Sequence, residues 1–444
     1  MSTAASRKFE AEPVVDVAGA VAVPGDKSIS HRALILSGIA EGRSEVTGFL
    51  ASEDCLASLA AMRALGVRIE QPSATHVVIH GVGLRGLTGA SGALDMGNAG
   101  TAMRLFAGLL SAQAFDSRLI GDASLMKRPM ERVAKPLREM GADVRTRNGL
   151  PPVDIGGNRS LHGIEYRMPV ASAQVKSALL LAALYADTAT TVVAPAINRD
   201  HSERMLASCG VRIESDGLRT TLHPPERLAN QCLNVPGDFS SAAFFVVAGL
   251  LGAAGGGLLI QNVGLNPTRT GLLDVLRAMG GNIEILNPRE SGAEPVADLL
   301  VRASALRGVQ VPVELVPLAI DELPVLFIAA ACATGETVVT GAEELRVKES
   351  DRIAAMSAGL TSLGVLHSVL PGGIRIEGRG DGPAFSGGEV ESFGDHRIAM
   401  SFTIASLRSK GAILIHDVAN VATSFPGFVG LARSIGLNIG ESGP

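Results

Sequence analysis

One helix ending recurs along the hydrophobic pattern of the chain. It has two apolar positions three residues apart, followed directly by a glycine, and it occurs at Gly66, Gly141, Gly210, Gly280, Gly364 and Gly436. These glycines are 69 to 84 residues apart. A glycine in this place suits the left-handed conformation that ends a helix, after which the chain can turn into a strand. The pattern therefore predicts six helix-to-strand junctions.

Short polar turns that open Ala/Leu-rich helices recur in step with these glycines. They read GDKSIS, GNAGTA, ASAQVK, GDFSSA, IDELPV and GDHRIA, and β-rich runs such as TGETVVTG and SKGAILIHD follow several of the helices. Six copies of a βαβαβ-like unit of about 74 residues explain both landmarks, and such units must pack on one another to bury their helices. The sequence therefore predicts an α/β fold of six repeats.

The tetrapeptide VPGD occurs twice, at Val23–Asp26 and at Val235–Asp238. The fourth copy thus opens as the first one does, which predicts two lobes of three repeats each. We expect residues 26–237 to form the N-terminal lobe. We expect residues 1–25 to return and join residues 238–444 in the C-terminal lobe, with helix N-termini lining the cleft between the lobes.

The stretch from Ser241 to Ile260 has twenty uncharged residues, which is the length that a bilayer requires. However, GAAGGG stands in its middle, and each glycine there weakens a helix. The stretch also coincides with the fourth repeat. We therefore predict a helix, a tight turn and a buried strand, and no membrane partner.

Composition argues against nucleic acid as a partner. The chain of 444 residues has two Tyr, no Trp and a formal net charge of −5, so it offers little base stacking and no general attraction to phosphate backbones. Its four cysteines are far apart and lack metal-ligand spacing. We expect buried, reduced thiols and no metal site.

Two further patterns bear on cofactors and on location. Gly81–Gly86 reads GVGLRG, but a turn-rich segment follows it instead of the helix that dinucleotide binding requires, so we expect no cofactor. The first residues, MSTAASRKFEAEPVVDVAG, carry acids where a targeting peptide should not. A cytoplasmic protein is expected.

Cations crowd the helix-opening turns. They stand in or near the repeated turns as Lys27, Arg32, Lys127, Arg128, Lys176, Arg199, Arg269, Lys348, Arg352 and Arg397. A helix N-terminus is the positive end of the macrodipole and therefore favours acids. With backbone N–H donors, these side chains would form sites for an anionic ligand. Surface ion pairs with nearby acids remain the alternative for each of them.

Two acids stand among these cations, Asp321 in AIDELP and Glu349 in RVKESDR. Asp321 could be a helix cap, and Glu349 could form a solvated charge pair with its neighbours. In a site for anions, however, they could also serve as acid–base groups.

Several of these stretches together resemble the EPSP synthase family, the 3-phosphoshikimate 1-carboxyvinyltransferases. The similar stretches are PGDKSISHR, GNAGTAMR, GDASLMKRPM, SAQVKSALLLA, RDHSER, NPTRTG, VKESDR and GDHRIAM, between about Val21 and Phe428. The resemblance implies the two-lobed, inside-out α/β barrel of enolpyruvyl transferases. It also implies transfer of the enolpyruvyl group of phosphoenolpyruvate to shikimate 3-phosphate, a step towards chorismate and the aromatic amino acids.

The resemblance implies a role for each matching residue. Shikimate 3-phosphate would be held by Lys27, Ser28, Arg32, Ser172, Ala173, Gln174, Arg199, Asp321 and Lys348. Phosphoenolpyruvate would be held by Lys27, Gly100, Arg128, Gln174, Arg352 and Arg397. Asp321 would take the 5-hydroxyl proton, Glu349 would protonate the enol carbon, and Lys27 would complete the catalytic set. No metal is implied.

The chain departs from the pattern of many family members at one position. Thr423 precedes SFP where they carry a lysine, so the role of that lysine cannot be transferred. The motifs GDKSI, SAQVK, RDHSER and NPTR resemble the branch that contains glyphosate-insensitive enzymes. Gly100, however, stands where insensitive forms of that branch carry alanine.

Two other functions are weighed against this one. The sister enzyme that acts on UDP-N-acetylglucosamine shares the fold and the cosubstrate, but it usually places a reactive cysteine in a loop near its site, and no cysteine here is so placed. A non-catalytic anion-binding repeat protein would not need Asp321 and Glu349. We expect an enzyme that acts on small molecules as a monomer.

Overall fold

The computed structural model describes residues 7–157 and 160–443, which form two compact units. The central unit comprises Gly25–Pro236 and Glu290–Glu294. The terminal unit comprises the residues up to 24, Gly237–Arg289 and the residues from 295 onwards. Each unit contains three small sheets and its own hydrophobic core.

The central unit contains six α-helices and three four-stranded sheets within the described residues. The helices are α1 (Lys27–Gly38), α2 (Glu53–Ala64), α3 (Gly100–Leu110), α4 (Glu131–Glu139), α5 (Ala173–Ala183) and α6 (His201–Ser208), with a 3₁₀ turn at Leu125–Lys127. The first sheet has the strand order Cys232–Asn234, Glu41–Thr47, His76–Val82, Arg68–Ser73. The second has the order Leu94–Asp95, Ser117–Ile120, Leu150–Ile155, Val144–Arg147. The third has the order Glu165–Arg167, Thr190–Val193, Arg219–Leu222, Ile213–Ser215.

The terminal unit repeats this organisation with seven described α-helices. They are α7 (Phe239–Gly252), α8 (Gly271–Ala278), α9 (Val316–Ala319), α10 (Leu323–Cys332), α11 (Arg352–Ser362), α12 (His396–Ala405) and α13 (Phe428–Ser434). Its 3₁₀ turns are Val313–Leu315, Glu343–Val347, Ser406–Arg408 and Ala419–Thr423. One sheet has the strand order Asn282–Ser291, Glu294–Arg302, Ala253–Gly264, Val17–Ala22. The second has the order Thr334–Val339, Gly373–Arg379, His367–Leu370, and the third Gly388–Glu391, Ile413–His416, Lys8–Glu12, Asn438–Ser442.

A common pairing pattern identifies the six sheets as copies of one unit. In five of them, one parallel pair at the edge adjoins antiparallel neighbours. In the sheet of Thr334–Val339, isolated parallel bridges at Arg307 and Gln310 stand where the edge strand would be. The prediction of six βαβαβ-type repeats is confirmed for the described part of the chain.

The six glycines that defined the repeat all have a positive φ, from +75° at Gly364 to +108° at Gly436. At Gly66 the backbone N–H groups of Gly66 and Val67 donate to carbonyls of the preceding helix, which closes its last turn. An L-residue at such a φ would be strained, so the glycine is what allows the helix to end and the strand to begin.

The helices that open on the polar turns are the innermost ones. Nearly every residue of α3 and α5 in the central unit, and of α7, α10 and α12 in the terminal unit, is buried. A helix that is apolar all round must be surrounded by protein. Most polar residues of α3, α5, α7 and α10 lie at or near the helix start, so each core helix holds its polar turn in a fixed place.

The uncharged stretch from Ser241 to Ile260 is a core helix followed by a strand, as predicted. Helix α7 ends at Gly252, and the strand Ala253–Gly264 follows at once, with Gly255 and Gly257 at positive φ where its pairing shifts. Among the described residues no single helix is long and apolar enough to span a membrane. One sharply bent pair, Val313–Ala319 with Leu323–Cys332, meets the length and composition criteria together.

The expectation for the cysteines is wrong at one position. Cys55, Cys209 and Cys332 are buried and reduced, whereas Cys232 is exposed. Cys232 lies in an edge strand that pairs only with Glu41–Thr47, and residues of an edge strand that face outwards reach solvent. The sequence pattern does not distinguish an edge strand from a central one.

Candidate active site

Aspartates cap the helix N-termini in three of the repeated turns. Asp26, Asp238 and Asp395 each accept a hydrogen bond from a backbone N–H two or three residues further on, at 2.9, 2.7 and 3.0 Å. A carboxylate in this place satisfies a backbone donor and interacts favourably with the helix dipole. In these three turns the capping aspartate supplies the negative charge that a helix N-terminus favours. The lysines and arginines of the motifs are present in addition to this aspartate.

Lys27 begins α1, and its ammonium contacts an acid of the next helix. Lys27 Nζ donates to Asp54 Oδ2 at 3.1 Å, and the two side chains are 17% and 8% exposed. Asp54 lies in the first turn of α2, which Ser52 caps. Asp54 is not among the residues predicted for the site, because nothing in the sequence pattern connects two residues 27 positions apart.

Arg32 is buried, and its hydrogen-bond partners are neutral groups. Its Nε and Nη2 donate to the hydroxyls of Ser202 and Ser177 at 2.7 Å each, and its Nη1 donates to the carbonyl of Ser28 at 2.9 Å. The pKa of Arg32 is lowered to about 10, chiefly by burial and also by the charge of Arg199, while the charges of Glu203, Asp26 and Glu294 oppose this shift. Arg32 is therefore still charged near neutral pH, and Arg199 is close enough to affect it.

Lys176 belongs to the same motif as Gln174 but has a different environment. Its ammonium forms an ion pair with Glu203, and both side chains are buried. We interpret Lys176 as a structural cation, in contrast to the expectation that it joins an anion site.

His31 lies between Lys27 and Arg32 in the sequence, and its side chain is fully buried. Its Nδ1 is 2.7 Å from Ser58 Oγ, and burial, with smaller contributions from Lys27 and Arg32, lowers its pKa to about 3. The unfolded chain binds a proton here below about pH 6.5, whereas the folded chain does not. The free energy of unfolding should therefore fall below pH 6.5, by up to about 1.4 kcal/mol per pH unit.

We expect His31→Gln to show a smaller loss of stability between pH 7 and pH 5 than the unmodified protein. Melting temperatures across this range test the expectation, with the exposed His162→Gln as the matched control. Parallel curves for the His31 variant and the unmodified protein would contradict it.

A second polar cluster surrounds the N-terminus of α3. Arg104 Nη1 donates to Gln174 Oε1 at 2.5 Å and to the carbonyl of Gly100 at 3.3 Å. Gln174 Nε2 in turn donates to Thr101 Oγ1 at 2.9 Å, so the amide of Gln174 is fixed by two neighbours. Arg104 was not among the predicted site residues, although it stands in the motif GNAGTAMR.

Arg128 also lies at the N-terminus of α3. Its Nη2 donates to Asn98 Oδ1 at 2.6 Å, and Asn98 Nδ2 donates to Asp122 Oδ2 at 2.7 Å. A Cβ added to Gly100 would lie 3.0 Å from Arg128 Nη1 and 3.1 Å from Arg104 Nη1. The missing side chain of Gly100 thus lets two guanidinium groups approach the helix N-terminus.

In the terminal unit, three carboxylates surround the guanidinium of Arg352. Its Nε donates to Asp395 Oδ2 at 2.8 Å, its Nη1 to Asp321 Oδ1 at 3.1 Å and its Nη2 to Glu349 Oε2 at 2.6 Å. Arg352 is 1% exposed. Burial alone would lower its pKa, but the charges of Asp395, Glu349 and Asp321 more than reverse this, so its pKa is raised.

Lys348 and Arg397 complete this cluster around Asp321. Lys348 Nζ lies 3.5 Å from Asp321 Oδ1, and Arg397 Nη1 donates to the backbone carbonyl of Asp321 at 3.1 Å. Arg397 Nη1 also lies 3.7 Å from Glu322 Oε1, and Glu322 accepts a hydrogen bond from Ser240. The five residues predicted for this part of the site, Asp321, Lys348, Glu349, Arg352 and Arg397, are brought together.

Asp395 and Glu322 also belong to this cluster, and neither is among the residues predicted from the sequence. Asp395 has a recognisable signal, because GDHR has the same glycine–aspartate opening as GDKS and GDFS. Glu322 follows Asp321 directly, and no local pattern indicates that Arg397 lies close to both of these adjacent acids, at 3.9 Å from Asp321 Oδ2 and 3.7 Å from Glu322 Oε1. Among the described residues no group of histidine, cysteine, aspartate and glutamate could hold a metal ion.

In the central unit, the predicted residues Ser28, Ser172, Ala173 and Gln174 lie in the first turns or caps of α1 and α5. Ser172 caps α5 by accepting from the backbone N–H of Val175, and the carbonyl of Ala173 accepts from Ser177, which also contacts Arg32. The starts of α1 and α5 are thus joined through Arg32 and Ser177.

Known proteins share this organisation over nearly the whole chain. A sequence model of the family described as EPSP synthase (3-phosphoshikimate 1-carboxyvinyltransferase) matches residues 11–431. The 3-phosphoshikimate 1-carboxyvinyltransferase of Methylococcus capsulatus is 57% identical over 97% of this chain and 98% of its own length. That of Alkalilimnicola ehrlichii is 54% identical over 97% of this chain and 96% of its own length.

Solved structures agree with these sequence relatives. The EPSP synthase of Acinetobacter baumannii is 51% identical, has a TM-score of 0.89 and covers 98% of this chain and 100% of its own. The enolpyruvyl transferase NikO of Streptomyces tendae has a TM-score of 0.78 over 99% of this chain and 100% of its own, at 18% identity, and this likeness concerns the fold alone. The chain has the enolpyruvyl transferase fold and belongs to the EPSP synthase family.

Proposed function

We propose that this chain transfers the enolpyruvyl group of phosphoenolpyruvate to the 5-hydroxyl of shikimate 3-phosphate. The products are 5-enolpyruvylshikimate 3-phosphate and inorganic phosphate. Beyond family membership, one observation carries the proposal: Asp321 and Glu349 contact the guanidinium of Arg352 beside Lys348 and Arg397. Acids weaken the binding of an anion, so their place among these cations favours an acid–base role over binding alone.

The proposed reaction is an addition followed by an elimination. In the addition, O5 bonds to C2 of phosphoenolpyruvate, the hydroxyl proton leaves O5, and C3 takes up a proton and becomes a methyl group. In the elimination, the methyl group loses a proton, the C2–C3 double bond forms again, and the bond from C2 to the phosphate oxygen breaks. We assign the hydroxyl proton to Asp321 and the protons at C3 to Glu349. Each such group typically contributes about 10²- to 10⁴-fold to the rate.

The shikimate 3-phosphate ligands in this proposal are Lys27, Ser28, Arg32, Ser172, Ala173, Gln174, Arg199, Asp321 and Lys348. The geometry supports Arg32, because its closest partners are two hydroxyls and a carbonyl and not a carboxylate. A buried guanidinium that has no hydrogen bond to a carboxylate attracts a phosphate more strongly than one already paired with an acid.

The phosphoenolpyruvate ligands in this proposal are Lys27, Gly100, Arg128, Gln174, Arg352 and Arg397. The arginines suit two-pronged contacts to carboxylate and phosphate oxygens. The contacts of Arg128 with Asn98, and of Gln174 with Arg104 and Thr101, hold these side chains in place before a ligand arrives.

The activity is tested by release of inorganic phosphate when the purified protein is mixed with both substrates. We expect phosphate only when both are present, together with a vinyl ether product visible by proton NMR. UDP-N-acetylglucosamine in place of shikimate 3-phosphate should give none. Absence of phosphate release with shikimate 3-phosphate would overturn the proposal.

The proposal extends to the state of the protein. We propose that it acts as a monomer in the cytoplasm on dissolved substrates and without a cofactor. Light scattering after size-exclusion chromatography should then give a mass near 45.7 kDa.

Gly100→Ala should weaken inhibition by glyphosate more than it weakens binding of phosphoenolpyruvate. The new methyl group would meet the guanidinium nitrogens of Arg128 and Arg104 at about 3 Å, so these side chains must shift. Glyphosate is a longer anion than phosphoenolpyruvate, so its binding should depend more on the space beside Gly100. We expect a loss of about 1–3 kcal/mol for the inhibitor, by analogy with overpacking.

Inhibition constants measured against phosphoenolpyruvate, for the unmodified protein and the alanine variant, test this expectation. It fails if millimolar glyphosate leaves the unmodified protein active, or if the alanine changes nothing.

A further inference from the structure

The backbone immediately before Asp395 is strained. Phe393 has φ +55° and Gly394 has φ +67°, so two successive residues are left-handed. Glycine adopts this conformation at little cost, but an aromatic L-residue does not. Burial of the Phe393 ring does not compensate, because this residue is 56% exposed. Other contacts must therefore hold the turn 392–395, which we call the Asp395 turn.

The Asp395 turn determines the positions of two proposed ligands of phosphoenolpyruvate. Asp395 is fully buried and accepts from Arg352 Nε at 2.8 Å and from the backbone N–H of Arg397 at 3.0 Å. It also accepts from Ser350 Oγ at 3.0 Å. A shift of Asp395 would therefore move the guanidinium of Arg352 and the start of the helix that carries Arg397.

The segment 416–423 holds this turn from outside. Asn420 Nδ2 donates to the carbonyl of Gly394 at 2.6 Å, and Ser392 Oγ donates to the carbonyl of Asp417 at 2.7 Å. The backbone of Asn420 is itself fixed, because Thr423 Oγ1 donates to its carbonyl at 2.7 Å. Thr423 is a buried residue of the segment 416–423, and it stands at the position where the sequence departs from many family members.

We infer that Asn420 is a positioning residue for phosphoenolpyruvate, which acts through the Asp395 turn on Arg352 and Arg397. This inference rests on the proposed function, because it concerns the affinity for one of the two proposed substrates. Asn420 itself is placed at the carbonyl of Gly394 and not among the proposed ligands. Its side-chain amide keeps the strained turn in the conformation that aligns the two arginines.

Two substitutions test the amide donor. Asn420→Asp keeps the shape but replaces the donor with an acceptor, and Asn420→Ala removes the side chain without adding charge. We expect each to raise the KM for phosphoenolpyruvate on the order of tenfold, the usual effect of losing one buried hydrogen bond. The KM for shikimate 3-phosphate should change less than about twofold, and the melting temperature should change by no more than a few degrees.

Asn438→Asp is the matched control, because it makes the same chemical change at an exposed position of the terminal unit. It should leave both KM values unchanged. An effect of Asn420→Asp that Asn420→Ala lacks would show a charge effect alone and would overturn the inference.

A double-mutant cycle separates positioning from general destabilisation. Asparagine tolerates the left-handed conformation better than phenylalanine, so Phe393→Asn should relieve the strain that Asn420 opposes. Asn420→Ala should then raise the KM for phosphoenolpyruvate less in the Phe393→Asn background than alone. Equal effects in both backgrounds, or equal rises in both KM values, would contradict the inference.

The outcomes also distinguish this inference from the proposed function. If the unmodified protein releases no phosphate from the two substrates, the proposed function fails. If the unmodified protein is active and both Asn420 variants keep its KM for phosphoenolpyruvate, only the inference fails.

Discussion

Asp321→Asn should lower kcat by about 10²- to 10⁴-fold while the protein keeps its fold. Asparagine has the same shape as aspartate and can still accept a hydrogen bond from Arg352, but it cannot take a proton from the 5-hydroxyl. The cluster would lose one of the negative charges around Arg352 and keep Glu349 and Asp395. A large loss of rate with a small change in stability is therefore the expected result.

Steady-state phosphate release and the melting temperature measure the two effects. Asp381→Asn is the matched control, because Asp381 is an exposed acid of the same unit. It should behave as the unmodified protein does. An Asp321→Asn enzyme with kcat within tenfold of the unmodified value would remove Asp321 from the proposed proton transfer. A parallel Glu349→Gln series would then be needed to find the base.

The repeat architecture could be predicted from the sequence because it rests on local signals. The helix-ending glycines mark their own left-handed conformation, and all six have it. The polar turns mark the helix starts, because a core helix such as α7 or α10 has no other place for polar residues. Signals that lie within ten residues of the structure they cause can be read from one sequence.

The contacts inside the site could not be predicted in the same way. Arg352 and Asp395 are 43 residues apart, and Lys27 and Asp54 are 27 apart, so only the packing of different helices brings them together. The motifs indicated Glu349 and Asp321 among the cations, but they gave no indication of Asp54 beside Lys27 or of Asp395 beside Arg352. The exposed Cys232 was mispredicted for the same reason, since edge and central strands look alike until the sheet is assembled.

The assignment of Lys176 shows how a motif can mislead. Lys176 stands two residues from Gln174 in SAQVK, and the sequence placed both near an anion. On helix α5 these two residues point in different directions, because neighbours two apart do not share a face. Gln174 contacts Arg104 and Thr101, whereas Lys176 is buried against Glu203.

Arg352→Met should abolish measurable activity and also destabilise the terminal unit. Methionine approximates the length of the side chain without its charge, so Asp321, Glu349 and Asp395 would face one another with no guanidinium between them. Removing one partner of a buried ion pair typically costs about 3–5 kcal/mol. For a unit of roughly 200 residues, this corresponds to a fall in melting temperature on the order of 10 °C.

Two further variants separate the stability effect from the effect on phosphoenolpyruvate. The double variant Arg352→Met with Asp395→Asn removes one positive and one negative charge from the cluster, so it should recover part of the lost stability but none of the activity.

Arg352→Lys keeps the positive charge but loses the planar guanidinium that reaches three carboxylates, so stability should fall less than in Arg352→Met. Its KM for phosphoenolpyruvate should nevertheless rise at least tenfold, because lysine cannot make a two-pronged contact. If Arg352→Lys binds phosphoenolpyruvate normally, Arg352 serves to hold the acids and is not a ligand of the substrate.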